Sequence, residues 1–140
     1  MNLKVKKLSE DAKISPPAYE GDAGYDVYST QDIHLLPLQR MNIPLDISLE
    51  FDSDHICLVQ GKSGVTKKYG IDTIGNVIDS SYRGCIHAQL VNVSNEFVFL
   101  RKGMKIAQLV FVRVSTPETE YVEDLCDSTR GDKGFGSSGL

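Results

Sequence analysis

Five short segments hold residue types from which a reactive site could be assembled. Ala23-Gly24-Tyr25-Asp26 places an acid two residues after a glycine. Gly61-Lys62-Ser63-Gly64 joins a lysine to a turn whose backbone N–H groups suit a phosphate. Gly75-Asn76-Val77-Ile78-Asp79-Ser80-Ser81-Tyr82-Arg83-Gly84 reads as a hairpin-like stretch with an acid, Asp79, and an aromatic, Tyr82. Gly103-Met104-Lys105-Ile106-Ala107-Gln108-Leu109 is a turn running into a strand with one internal amide. Arg130-Gly131-Asp132-Lys133-Gly134-Phe135-Gly136-Ser137-Ser138-Gly139 brings a cation, an aromatic and a run of small residues. The chemistry open to such types is anion binding and proton transfer at a carboxylate. Taken singly, each also has a plain reading: Asp79 as a turn acid, Gln108 as a strand-edge polar group, Phe135 as a stray tail aromatic.

Three familiar motifs fail on inspection. Gly61-Lys62-Ser63 resembles the end of a P-loop, but the first glycine of that motif would fall at Ile56. Gly134 to Gly139 spells G-x-G-x-x-G, yet only one residue follows, so no helix can present its N-terminus to a pyrophosphate. The nucleophile elbow needs glycine where Val65 stands. His34, His55 and His87 are scattered, and Cys57, Cys85 and Cys126 are odd in number and far apart. A disulfide framework and a zinc site are therefore not expected, and three reduced thiols suit an intracellular protein, cytoplasmic or nuclear.

The elements that must position these residues are strands. In 140 residues, 41% apolar and 24% charged, there is enough material for one domain with a real core and too little for two. No apolar run approaches the ~20 residues of a membrane span, and no apolar stretch follows the charges of Met1 to Lys7, so no secretory signal is expected. A net charge of −4 argues against sequence-independent binding to duplex nucleic acid. Ile86, Ala88 and Leu90 alternate with His87 and Gln89, a period of two. Leu3–Lys7, Tyr25–Val27, Ile33–Leu35, Ile47–Phe51, Ile56–Leu58, Phe97–Leu100 and Ile106–Val112 read as strands too. Many short strands separated by turn residues predict an all-β barrel or sandwich. One helical turn is expected over Ser63–Tyr69, with Ser63 as N-cap and Gly70 just past its end. The last ten residues hold four of the 12 glycines and cannot pack a core alone, so they are disordered or ordered by what they bind.

In this order and spacing, V-I-D-x-x-Y-R-G, G-x-x-I-A-Q-L and R-G-x-x-G-F-G-S-x-G closely resemble motifs of the trimeric deoxyuridine triphosphatase (dUTPase) family. The resemblance runs from Ala23 to Gly139. It implies a distorted jelly-roll barrel over residues 1–128, a nucleotide-closing tail over 129–140, and a threefold homotrimer with each site built from all three chains. It also implies hydrolysis of dUTP to dUMP and pyrophosphate, with Mg²⁺ bound to the triphosphate and water attacking the α-phosphorus.

Carried over residue by residue, Asp79 is the general base. Tyr82 lies against the deoxyribose, and the main chain of Asn76, Val77 and Ile78 reads uracil, with a backbone contribution from His87. Lys62, Ser63, Gly64 and Gln108 hold the phosphates and the attacking water, while Asp26 supports the metal through water. Arg130 takes the γ-phosphate, Phe135 stacks on the base, and Gly136, Ser137 and Ser138 wrap the phosphates. Four positions depart from the family pattern: Lys62 replaces arginine, Gln60-Gly61 replaces Ala-Pro, Asn76 replaces glycine, and Cys85 replaces an acid or amide. The base, the tyrosine and the tail are retained. A dCTP deaminase, a relative on the same fold, would need a glutamate where this chain has Gln89, and an amide cannot carry its proton transfers. A nucleotide-dependent binding module is the other alternative, resting on Lys62 and Asn76.

Overall fold

The computed structural model describes residues 1–139. Leu140, the last residue of the expected tail, lies outside the described residues. Glycines, prolines and polar clusters leave segments too short for most helices, and their β-branched and aromatic residues favour a pleated, half-buried surface. The strands are β1 (Lys4–Lys7), β2 (Ile14–Ser15), β3 (Gly24–Tyr28), β4 (Ile33–Leu35), β5 (Arg40–Pro44) and β6 (Ile47–Glu50). Then come β7 (His55–Gln60), the helix α1 (Ser63–Tyr69), alone of its kind among the described residues, β8 (Ile71–Thr73), β9 (Val77–Asp79), β10 (His87–Asn92), β11 (Val98–Leu100) and β12 (Lys105–Arg113).

Every ladder is antiparallel. A five-stranded sheet runs β2-β3-β12-β7-β9, a three-stranded sheet runs β5-β10-β8, and β1–β6 and β11–β4 are two-stranded ribbons. The all-β expectation holds, and short ribbons closing on one core are consistent with a distorted jelly roll. Alternation fills that core. Ile33, Leu35, Val98 and Leu100 point inward while His34 and Phe99 between them stay outside, stacked with ring centroids 4.7 Å apart.

Strands β2, β5, β8 and β9 have no alternating signature in the sequence. β5 carries Arg40 and Asn42 on its outer positions and ends at Pro44, and β9 is a strand because β7 pairs with it. The helix covers the expected residues, but its N-cap is Lys62, not Ser63. Lys62 has extended backbone (φ −101°, ψ 128°) and caps nothing with its side chain. The first helical bond runs from the Thr66 N–H to the Lys62 carbonyl (2.9 Å), so Ser63 already lies inside the helix and cannot cap it. Gly70 ends it in the left-handed region (φ 65°), as expected.

Asn92, fully buried at the end of β10, ties the strands around it. Its Nδ2 donates to the carbonyls of Leu35 (3.1 Å) and Glu96 (2.8 Å), and its Oδ1 accepts from the Ser94 N–H (2.9 Å) and hydroxyl (2.7 Å). Asn92→Leu keeps the branched shape and strands these partners in an apolar interior. It should cost about 2–4 kcal/mol, read as a lower urea midpoint at fixed protein concentration; an unchanged midpoint would show that water replaces the amide.

Candidate functional site

Two separate polar cavities collect half of the candidate site residues singled out in the sequence. The first, about 380 Å³, is lined by Asp22, Gly24, Asp26, Lys62, Gln108 and Val110 among others. The ladders assemble it, since β12 sets Gln108 opposite Asp26 on β3 and opposite Gln60 on β7, just before the loop that carries Lys62. Gln108 Nε2 donates to the Gly61 carbonyl (3.0 Å). Its Oε1 crosses the face of Gly24, where a Cβ would lie only 2.0 Å from that oxygen, so the close approach requires glycine. Ser63 and Gly64 open α1 beside Lys62, both exposed.

Asp26 sits between two ammonium groups. Lys62 donates to its Oδ1, and Lys105 Nζ lies 2.7 Å from its Oδ2. Partial burial pulls the Asp26 pKa upward. The hydrogen bonds and charges of Lys105 and Lys62 outweigh that and hold it below the usual 3.8. Both oxygens are engaged, which suits a water-mediated part in holding a divalent cation rather than direct ligation. Mg²⁺ commonly keeps several waters beside substrate phosphates, and a water held by Asp26, with Asp22 lining the same cavity, fits that donor set.

The second cavity, about 270 Å³, lies under the β9 hairpin and is lined by Asn42, Ile78, Asp79, Tyr82, His87 and Gln89 among others. β9 is the outer strand of its sheet, so the main-chain groups of Val77 to Asp79 that face away from β7 have no ladder partner. The Asn76 carbonyl, in contrast, already accepts from the Val59 N–H (2.9 Å). Among the described residues the Asp79 carboxylate makes no side-chain hydrogen bond, and it is exposed at the rim. Tyr82 donates from its hydroxyl to the Cys85 carbonyl (3.2 Å), which His87 Nδ1 also meets at 2.9 Å. Arg83 pins the turn through the carbonyls of Ser80 (2.6 Å) and Tyr82 (3.0 Å).

The two cavities share no lining residue. Gln60 and Ile56 lie four residues apart on β7, with β12 and β9 on opposite sides of it. The Cα atoms of Gln108 and Asp79 are therefore about 17 Å apart. The tail joins neither cavity within this chain. Arg130 Nε donates to the Lys133 carbonyl (2.7 Å), Ser137 N–H to Gly134 and Gly139 N–H to Gly136, while Phe135 stands fully exposed. Elsewhere, Asp52, Asp54 and His55 cluster at the start of β7, where the amino terminus and Arg113 already pair with the carboxylates. Burial pushes the Cys57 thiol up to about 12, so it is no nucleophile.

The family model for dUTPase matches residues 10–139. The chain belongs to the dUTPase family. It is 38% identical over 139 residues to the deoxyuridine 5'-triphosphate nucleotidohydrolase of Paramecium bursaria Chlorella virus 1, covering 99% of each. A structure of Staphylococcus bacteriophage 80alpha dUTPase in a mutant form with dUpNHpp superposes with a TM-score of 0.91 at 30% identity, again covering 99% of both chains. A mutant dUTPase from phage phi11 of S. aureus, described as coordinating a structural Mg(II) ion, gives a TM-score of 0.80 at 26% identity over 89% of this chain and 99% of that one.

Two residues of the dUTPase-family chain stand at these sites without a sequence signal that marked them, Asn42 in the hairpin cavity and Lys105 on Asp26, and Gln89, noted in the sequence only as the place of a deaminase glutamate, joins Asn42. Asn42 reaches its place because β5 pairs with β10, setting it opposite Gln89. Lys105 reaches Asp26 through an irregularity in the β12–β3 ladder. No single-strand pattern announces either event.

The depressed Asp26 pKa has a definite sign in stability. A carboxylate with a lower pKa in the folded than in the unfolded chain stabilises fully above the unfolded value and loses that contribution as pH falls through the folded one. Asp26→Asn should therefore be less stable than wild type at pH 7, with the gap closing below about pH 4, in urea titrations at several pH values. Glu50 and Asp54, also depressed by Lys4 and His55, keep part of the acid slope in the variant. A gap that stays constant down to pH 2 would mean the carboxylate charge contributes nothing.

Proposed function

We propose that this chain hydrolyses dUTP to dUMP and pyrophosphate, with Asp79 as the general base. One observation carries the reading: an unpaired carboxylate, a tyrosine and the open main-chain edge of β9 meet around one small cavity in a dUTPase-family chain. Uracil fits an edge strand, because backbone donors and acceptors can match its N3–H and carbonyl oxygens and mismatch cytosine, whose pattern is inverted. Tyr82 would lie against the deoxyribose and would leave no room for a 2′-hydroxyl. Asp79 takes a proton from water as the water oxygen bonds the α-phosphorus, and the bond from that phosphorus to the bridging oxygen breaks to release pyrophosphate. Lys62, Ser63, Gly64 and Gln108 would hold the phosphates. Mg²⁺ carried on the triphosphate would offset its charge, and Asp26 would support it through water. A deaminase reading gains nothing from Gln89, whose amide donates to the Gly75 carbonyl (3.4 Å).

The separation of Asp79 from Gln108 supports a homotrimer with shared sites. At about 17 Å between Cα atoms, neither side chain can bring base and phosphate cradle of one chain to the same phosphorus, whereas a neighbouring chain can bring its β9 hairpin to this cradle. The tail of 129–140, which makes only local bonds on its own chain, would close a site in the same assembly, with Arg130 on the γ-phosphate, Phe135 over the base and Gly136, Ser137 and Ser138 around the phosphates.

Asp79→Asn should retain the fold and the binding of dUpNHpp while losing most turnover, about 10²-fold or more. Turnover within a few fold of wild type would place the base elsewhere. Refolding equal amounts of Asp79→Ala and a chain truncated after Asp127 should restore about a quarter of the sites. Random mixing gives three quarters mixed trimers, each with one intact site in three. No recovery in confirmed trimers would reject a tail that crosses between chains.

A further inference from the structure

We infer that Lys105 is a positioning residue for the phosphate cradle, holding Asp26 so that Lys62 can leave it for an incoming phosphate. This rests on the reading of Lys62 as a phosphate ligand and adds a residue to it.

The first observation is division of labour on one carboxylate. Asp26 keeps 13% of its side-chain surface, and its two oxygens are claimed by different lysines, Oδ1 by Lys62 and Oδ2 by Lys105. The lysines are unequally placed. Lys62 lines the cavity and is 24% exposed, whereas Lys105 lies outside its lining and is 49% exposed. If Lys62 alone paired with Asp26, its departure would strand a largely buried charge, and phosphate binding would have to offset that loss. A second cation that stays behind removes most of that cost.

The second observation is a bulge that aims Lys105. Strict alternation along β12 would put Lys105 on the same face as Ala107 and Leu109, both buried in the core. The ladder slips between Lys105 and Ala107, where Ile106 and Ala107 are buried in succession. The slip turns Lys105 to the face of Gln108 and Asp26, and re-aiming a side chain is the usual result of such an insertion. The ring of Tyr28, paired with Lys105 in the ladder, lies 6.0 Å from its ammonium group. Lys13 Nζ lies nearer the same ring, at 4.4 Å.

The test compares wild type, Lys105→Met, Lys105→Arg, Lys62→Met and the double variant Lys62→Met/Lys105→Met. It reads kcat and KM for dUTP with Mg²⁺, binding of inorganic pyrophosphate with Mg²⁺ by calorimetry, and the melting temperature. Lys105→Met should raise KM and weaken pyrophosphate binding by about tenfold, the scale of one charged hydrogen bond, with kcat within about threefold. Lys105→Arg should restore both. The penalty should vanish in the Lys62→Met background, because Lys105 then has no lysine to release. A purely structural lysine would lower the melting temperature and impose the same penalty with or without Lys62. Persistence of the penalty without Lys62, or values within twofold of wild type for Lys105→Met, overturns the proposal. A wild type that binds pyrophosphate with this coupling but releases none from dUTP would sink the proposed reaction and leave the lysine exchange standing.

Discussion

Strand β7 is paired along both edges, and that double pairing governs where chemistry can occur. β12 on one side brings Gln108 level with Gln60, and β9 on the other brings Asp79 level with Ile56. Backbone hydrogen bonds fix both registers, and slipping either by one residue would turn a whole set of side chains from one face to the other. Between them Cys57 and Val59 are fully buried, so β7 also anchors the sheet to the core. The cavity around Asp26 and Gln108 and the hairpin cavity around Asp79 are thus held at opposite ends of one strand. That separation is the ground for proposing a site shared between copies.

At the cradle, the sheet brings polar groups close enough to need partners and then supplies them. Gln108 spends its amide on the Gly61 carbonyl and rests against the bare face of Gly24. Asp26 loses water by burial and recovers the charged form through two lysines. A carboxylate paired once in such a place would be fixed to that partner. Paired twice, it can release one cation without becoming an isolated buried charge.

The hairpin cavity is built on a different economy. An edge strand usually has to be protected from pairing with another chain. Here β9 is short, its turn is pinned by Arg83 to the carbonyls of Ser80 and Tyr82, and its open edge faces a polar floor made by Asn42 and Gln89. Unpaired main-chain groups beside such a floor suit a small planar ligand better than another strand.

The sequence by itself determined the family, the all-β class and most of the strands, and it singled out the residues on which a site is proposed. Asp79, Tyr82, Lys62 and Gln108 were legible because each sits in a short segment whose neighbours constrain it, and the alternating strands were legible because burial on one face writes a period of two. The helix span was legible from its glycine terminator, while its N-cap was not, since the start of hydrogen bonding depends on how the preceding loop enters. Strands β5, β8 and β9, the floor residues Asn42 and Gln89, and the lysine on Asp26 depended on tertiary structure. Each exists through a partner distant in the chain: β10 for Asn42, β7 for β9, and a slipped ladder with β3 for Lys105. Local pattern records which face of a strand is apolar. Register, bulges and the distance between two cavities are properties of pairings, and these form only when the whole sheet closes around its core.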